Sequence, residues 1–429
     1  MAPGWGNRSC DSLLRQVEDG RVSDLVVLPT KTFGGPELDR LAAAMVTEPA
    51  AVLTSVSIAG HPVGEAAAWK RFGSALIQSR IERLALGSGT VKKRSVEDTE
   101  PPAEDDGCWE ALWQGIGASP GVFCLISLDV SSSCLTLKDL QVLGQSVGQL
   151  PALRSLDLSR NSFASSTATS SVDPLPFVQL HELDVSSCSL NGSQFAALIS
   201  RLTSLSIIRA AHNPLLANNG LSALLHTSRS TIDVTDCGIS EIVLPAATTS
   251  ITMPLSIDTL GLSQNPLGPT VIETLCASTA VRSLNLANHP CFTPEAAALL
   301  ARSQQSLQDL DVSGTACGVD GAVAIVKECS SLQSIRLFHC KLGSDGFHAI
   351  AAALSMASSQ LQTLDVAGNG ADAAAVVALI QAADATNSLT CLVVGANAGG
   401  RAVEEAVQAV VRADLAVARD KSEGTTAST

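Results

Sequence analysis

Aliphatic residues return along this chain in one short pattern. In LRSLDLSRN, which starts at Leu153, they fall at Leu153, Leu156 and Leu158, and an amide, Asn161, ends the run. Leu156 and Leu158 are two residues apart, a spacing that fits one face of a β-strand and not a helix. Asn161 comes after the strand, where the chain must turn and its backbone groups need partners. An asparagine amide donates and accepts, so it can serve both kinds of group on a curve. The pattern also starts at Val22, Leu53, Ile81, Leu125, Leu180, Leu205, Arg229, Ile257, Val281, Leu307, Leu332, Leu361 and Leu389, which makes fourteen units, most of them 24 to 31 residues apart. The first three units and the one at Arg229 fit it least well. The ninth position holds Asn161, Asn213, Asn265, Asn369 and Asn397, and Cys188, Cys237 and Cys340 in three other units.

Between the strand segments the period changes. Apolar residues at three and four spacing predict helices over 64–79, 137–150, 294–305, 319–329 and 344–357. Pro269 and Pro294 sit where helices start, positions at which a missing N–H is no loss. Two connections, 163–177 and 240–256, are rich in Ser, Thr and Pro, and predict extended or irregular chain. The third unit is about 44 residues long because of GTVKKRSVEDTEPPAEDDG, residues 89–107, which reads as a solvated acidic loop.

The pattern resembles the leucine-rich repeat family from Val22 to Ala418, and the helical convex segments resemble its ribonuclease-inhibitor-like subclass. The resemblance implies an α/β leucine-rich repeat solenoid, a horseshoe with a parallel concave sheet and a mostly helical convex side. It also implies one continuous domain whose end coils need covering. The expected organisation is an N-terminal cap over 1–21, with a helix at 10–20, and a solenoid of about fourteen repeats over 22–418. A C-terminal capping helix is expected over 402–420, and a disordered tail over 419–429.

Composition narrows the partners. The chain has 429 residues, 46% hydrophobic and 16% charged, with a formal net charge of −14. It has no basic stripe for nucleic acid, and its one basic cluster, Lys92-Lys93-Arg94, runs straight into acidic residues. A protein partner with a basic surface fits this balance better than DNA, RNA or an anionic membrane. No apolar run is long enough to cross a membrane, and no signal, transit or lipidation signal is legible. The twelve cysteines contain no CxxC pair and read as free, buried thiols of a reducing compartment, so a cytoplasmic location is expected.

In the repeat pattern the residue between the two inward strand positions faces the concave side. That column reads Asp129, Asp157, Asp184, Arg209, Asp233, Gly261, Asn285, Asp311, Arg336 and Asp365. Two readings of it stay open. One is an acidic stripe, broken by two arginines, that receives a basic partner. The other is that LDLS and LDVS are simply common forms of the repeat. Phe338 and His339, beside Arg336, are either an aromatic anchor for a partner or an aromatic packed on the next strand.

No constellation for catalysis, cofactor or metal is legible. GxSxG, GxxxxGK[ST] and HExxH are all missing, and the close His/Cys pairs, His289 with Cys291 and His339 with Cys340, do not assemble four zinc ligands. The reading is therefore a non-catalytic protein–protein interaction scaffold that uses its concave face. The resemblance implies several settings for it: cytoskeletal or ciliary assembly, or substrate recognition in a ubiquitin ligase. It also brings in the Ran-type GTPase-activating proteins. The tail here is not acidic, and ANNGL at 217–221 falls at a helix start, so no activator residue can be carried over. About twenty residues before Val22 leave no room for an F-box-like segment, which favours the cytoskeletal setting.

Overall fold

The computed structural model describes residues 9–91, 107–118, 123–145, 148, 150–164, 173–225, 229–242, 255–356 and 360–419. Most of the expected acidic loop (92–106), the centres of the two irregular connections (165–172 and 243–254) and the tail from 420 onward lie outside the described residues. The chain forms two compact units, Met1–Leu215 and Leu216–Thr429. Both are α/β coils of the leucine-rich-repeat type.

The first unit holds strands β1 (Asp24–Val26), β2 (Ser55–Ser57), β3 (Arg83–Ala85), β4 (Ser127–Asp129), β5 (Ser155–Asp157), β6 (Glu182–Asp184) and β7 (Ile207–Arg209). Its helices are α1 (Asp11–Glu18), α2 (Gly35–Met45), α3 (Ala66–Leu76), α4 (Cys108–Ala118), α5 (Leu137–Gln145) and α6 (Gly192–Ile199). The second unit holds β8 (Thr231–Asp233), β9 (Leu255–Gly261), β10 (Thr279–Asn285), β11 (Asp309–Asp311), β12 (Ser334–Arg336), β13 (Thr363–Asp365), β14 (Cys391–Val393) and β15 (Ala416–Ala418). Its helices are α7 (Ala217–Leu224), α8 (Val271–Ser278), α9 (Pro294–Ser303), α10 (Gly318–Glu328), α11 (Gly343–Met356), α12 (Ala373–Ala385) and α13 (Arg401–Gln408).

Within each unit the strands are parallel and follow chain order. The register never slips: Leu128 sits beside Leu156, Leu156 beside Leu183, Leu310 beside Ile335, and Ile335 beside Leu364. A slip by one residue would turn every buried leucine outward, so burial itself fixes the register. Leu153, Leu156 and Leu158 are all buried, as are their equivalents Leu361, Leu364 and Val366. Each coil thus closes the apolar flank of its neighbour, which no single coil could do alone.

The amide at the ninth position ties consecutive coils together. Asn161 Oδ1 accepts the backbone N–H groups of Ser133 and Leu135, both at 3.0 Å, while Nδ2 donates to Val130 O at 3.0 Å and Leu158 O at 2.7 Å. Asn213 repeats this with Cys188 and Leu190 as donors and Val185 and Ala210 as acceptors. Asn265 does so with Cys237, Ile239, Val234 and Leu262. Where cysteine takes the place, the thiol donates back to the preceding coil: Cys188 to Leu158 O at 3.1 Å and Cys340 to Val312 O at 3.2 Å. These bonds satisfy buried backbone groups that the turn leaves without a ladder partner.

The helical layer is closest between α3 and α4. A Cβ on Gly73 would lie 2.2 Å from Leu112 O, and one on Gly115 would lie 2.1 Å from Lys70 O, so both positions require the bare backbone. Trp69, Phe72 and Trp109 are fully buried around this contact. At the start of the chain α1 turns Leu14 and Val17 inward, and Arg40 of α2 joins it through Glu18 and Asp11. Thr293 caps α9 and Pro294 is its first residue, whereas Pro269 lies two residues before α8.

The C-terminal end differs from expectation. The helix expected over 402–420 stops at Gln408, and Ala416–Ala418 forms a further parallel strand on β14. Asp384 explains the stop. Its carboxylate accepts the N–H groups of Val411 and Arg412, which draws the chain out of the helix. Leu415 and Ala418 are then buried, and Ala416 N–H bonds to Thr390 O.

Candidate protein-binding face

The helices cover one face of each sheet and leave the other open. The middle residue of each three-residue strand from β1 to β14 is buried, and most flanking residues are half-buried or exposed on the open face. The structure brings Asp129, Asp157 and Asp184 side by side in register, with Arg209 next. In the second unit Asp311, Arg336 and Asp365 are neighbours in the same way, and Asp233 lies beside Gly261.

These aspartates have a local task. Oδ1 of Asp129, Asp157 and Asp184 accepts the backbone N–H two residues on, from Ser131 at 2.9 Å, Ser159 at 2.8 Å and Ser186 at 2.8 Å. Asp233, Asp311 and Asp365 do the same for Thr235, Ser313 and Ala367, and Asn285 does it for Ala287. This is an Asx turn at the end of each of these seven strands. It gives a physical reason for the recurrence of Asp-x-Ser, and the recurring D-x-S spacing was the signal for it in the sequence. One carboxylate oxygen of each residue is committed to its own turn.

The carboxylates also feel one another. Asp157 is held above the usual carboxylate range, mainly by burial and also by the negative charges of Asp184 and Asp129, against the hydrogen bond from Ser159. Arg209 pairs with Glu182, and Arg336 lies 3.7 Å from Asp311. Burial raises Asp309, with Arg336 opposing it. Glu182 and Asp309, which carry further charge on this face, stand in the column two residues before the predicted one. Gly261 leaves room for its neighbour, since a Cβ there would meet Asp233 Oδ1 at 2.7 Å.

Phe338 is half-buried and packs on Ala367, Val393 and Ala418, with His339 edge-on at 4.1 Å between ring centroids. The ring therefore lies across the following coils, and His339 is the exposed member of the pair. Of the two His/Cys pairs, His289 Nδ1 accepts the Cys291 N–H at 3.0 Å, and burial holds the His289 imidazole below its ordinary pKa. Among the described residues no three His, Cys, Asp or Glu side chains converge as metal ligands. Burial pushes the Cys188 and Cys329 thiols up to about 12. ANNGL opens α7, where Asn218 accepts the N–H groups of Ser240 and Glu241.

On the opposite side of the first unit, a groove of about 400 Å³ lies between α5 and the extended stretch 173–176. It is lined by Leu140, Gln141, Gly144, Leu175 and Pro176, among others. Among the described residues no helix is long and apolar enough to cross a membrane.

No family model matches the chain, and no curated protein matches it. Solved structures similar to it include the Rad7 and Elc1 complex in yeast, at 14% identity and a TM-score of 0.48 over 96% of this chain and 93% of that one. Another is an internalin, inlF, from Listeria monocytogenes, at 13% identity and a TM-score of 0.41 over 95% of this chain and 88% of that one.

Proposed function

We propose that the chain is a non-catalytic scaffold that grips a protein partner on the open faces of its sheets. The observation that carries this reading is the face itself. It is a row of in-register turns whose backbone is already locked by Asn161, Asn213, Asn265 and the aspartates. A partner therefore meets a preformed surface, and little chain ordering opposes binding. Short residues such as Ser127, Ser155 and Thr259 leave the face accessible to a partner's longer side chains. The carboxylates of Asp129, Asp157, Asp184 and Glu182 favour a basic patch on that partner. Arg209, Asp233, Asp311, Arg336, Asp365, Phe338 and His339 complete the proposed contact set. The helical connections support the ribonuclease-inhibitor-like subclass, and a cytoplasmic, cytoskeletal or ciliary setting is the one we favour.

The test is purification of the intact chain from its native cell, followed by binding of the recovered partner to wild type and to D157K/D184K. Co-purification with a stable assembly, weakened by the double substitution and with a shallower salt dependence, is the expected result. Unchanged affinity removes the acidic row from the reading. Recovery of a ubiquitin ligase assembly, or faster GTP hydrolysis by a Ran-like GTPase, replaces the scaffold reading with one of those two.

A further inference from the structure

The open face of the first unit begins apolar. In the row that carries Asp129, Asp157 and Asp184, the first three strands place Val26, Ser57 and Ala85. The register runs on past the strands, since Gly60 N–H donates to Gly87 O and Ser88 N–H donates to Ser131 O. It sets Leu28, Ala59 and Gly87 in the next row, ahead of Ser131. Val26 is 53% exposed and Leu28 is 57% exposed. They stand two residues apart on one side of the chain, where later coils show aspartate and serine. Beside them Arg83 reaches over β2 to Asp24 at 2.9 Å, so those two charges answer each other. The acidic row follows at once, because a Cβ on Gly87 would lie 3.1 Å from Asp129 Oδ1. Arg209, next to Asp184, pairs with Glu182.

We infer that Val26, Leu28 and the acidic row together seat one amphipathic helix of the partner. Its contact stripe carries apolar side chains at one end and Lys or Arg further along. The inference rests on the binding face proposed above and names what that face takes. The carboxylates of Asp129, Asp157 and Asp184 favour cations, whereas Val26 and Leu28 gain from covering by aliphatic or aromatic groups. A wholly basic or wholly apolar segment meets only half of this surface.

The length scales select a helix. Adjacent strands lie ~4.8 Å apart and a helical turn rises about 5.4 Å, so a helix laid across the strands offers one side chain to each coil. Val26 and Asp129 are three strands apart, ~14 Å, which is about ten residues of helix. Asp184 lies two strands further on. An extended segment does not keep this step, since its same-side residues recur only every ~6.8 Å. The short side chains of Ser57, Ala59 and Ala85 let the helix come close to the sheet.

Selection from a display library of random helical peptides on the full chain tests this. Recovered sequences should carry apolar and Lys or Arg residues on one helical face, about ten residues apart. Synthetic copies should bind V26S/L28S about tenfold or more weakly, at low and high salt alike. They should also bind D157K/D184K more weakly, with a shallower salt dependence. Both serines fall at exposed positions, and Ser57 already holds the matching place on the next strand, so the urea midpoint should not move. If it does, Leu28→Ser alone, which lies outside β1, replaces the pair. Binding that falls with D157K/D184K but not with V26S/L28S overturns the inference and leaves the proposed face standing. Peptides indifferent to both pairs overturn both readings. No enriched sequence, or bound peptides without helical circular dichroism, also overturns the inference. So does a dimer of the chain that V26S/L28S abolishes, which would give these side chains to a second copy.

Discussion

Replacing Asn161 by alanine removes the four strongest bonds of one amide. Ser133 and Leu135 lose the acceptor for two buried N–H groups, and the Val130 and Leu158 carbonyls lose a donor. An orphaned buried group costs about 1–3 kcal/mol, and the carbonyls, with a second lone pair, lose least, so the sum is about 3–5 kcal/mol. Cysteine at the same place keeps one donor and should lose about half as much. A global melting curve is a blunt reporter here, because repeat arrays open in parts. Hydrogen exchange at the Ser133 and Leu135 amides is sharper. A local loss of ~3 kcal/mol should speed it roughly hundredfold in Asn161→Ala. Exchange within about threefold of wild type, with an unchanged urea midpoint, would refute the idea that the amide holds these coils together.

Other substitutions test other contacts. Gly115→Ala should destabilise the first unit by ~1–3 kcal/mol, since its Cβ meets Lys70 O, while Gly117→Ala, with open space around it, should be neutral or slightly stabilising; urea unfolding of the pair separates clash from helix propensity. Arg40→Ala should free α1, seen as earlier cleavage in limited proteolysis. The Arg40 guanidinium holds Glu18 below its ordinary range, so this contribution is present above the unfolded carboxylate pKa and is lost as pH falls through the folded one; the variant should show less of that acid dependence. Asp157→Asn keeps an oxygen for the Ser159 N–H. Because the Asp157 pKa is raised, its protonated form favours folding, and that stability is lost as pH rises through the folded value; the asparagine variant should therefore gain, by under about 1 kcal/mol, at neutral pH but not in acid. Equal stability differences at both pH values would dismiss the repulsion along the row.

The sequence carried the sheet well, because burial of a period-two leucine pair and one polar residue per turn leave a repeating trace. Asn161 could be read as a turn residue from its place alone. Asp157 was read as a charge on the concave face; its task as a turn acceptor left only the recurring D-x-S spacing as a trace, and that spacing shows residue type and not which backbone group the oxygen meets. β15 escaped because Leu415 and Val417 belong to a shortened coil with no ninth-position amide, and nothing in AVEEAVQAVV announces that Asp384 will pull the chain from its helix.

The constant register has a practical side. Arg83 and Ser127 are 44 residues apart and Thr259 and Ser283 only 24, yet both pairs are direct strand neighbours. Connection length is thus insulated from what the sheet displays. A reporter module or affinity handle spliced into a long connection would ride outside the stack, and the order of side chains offered to a visitor would stay as it was.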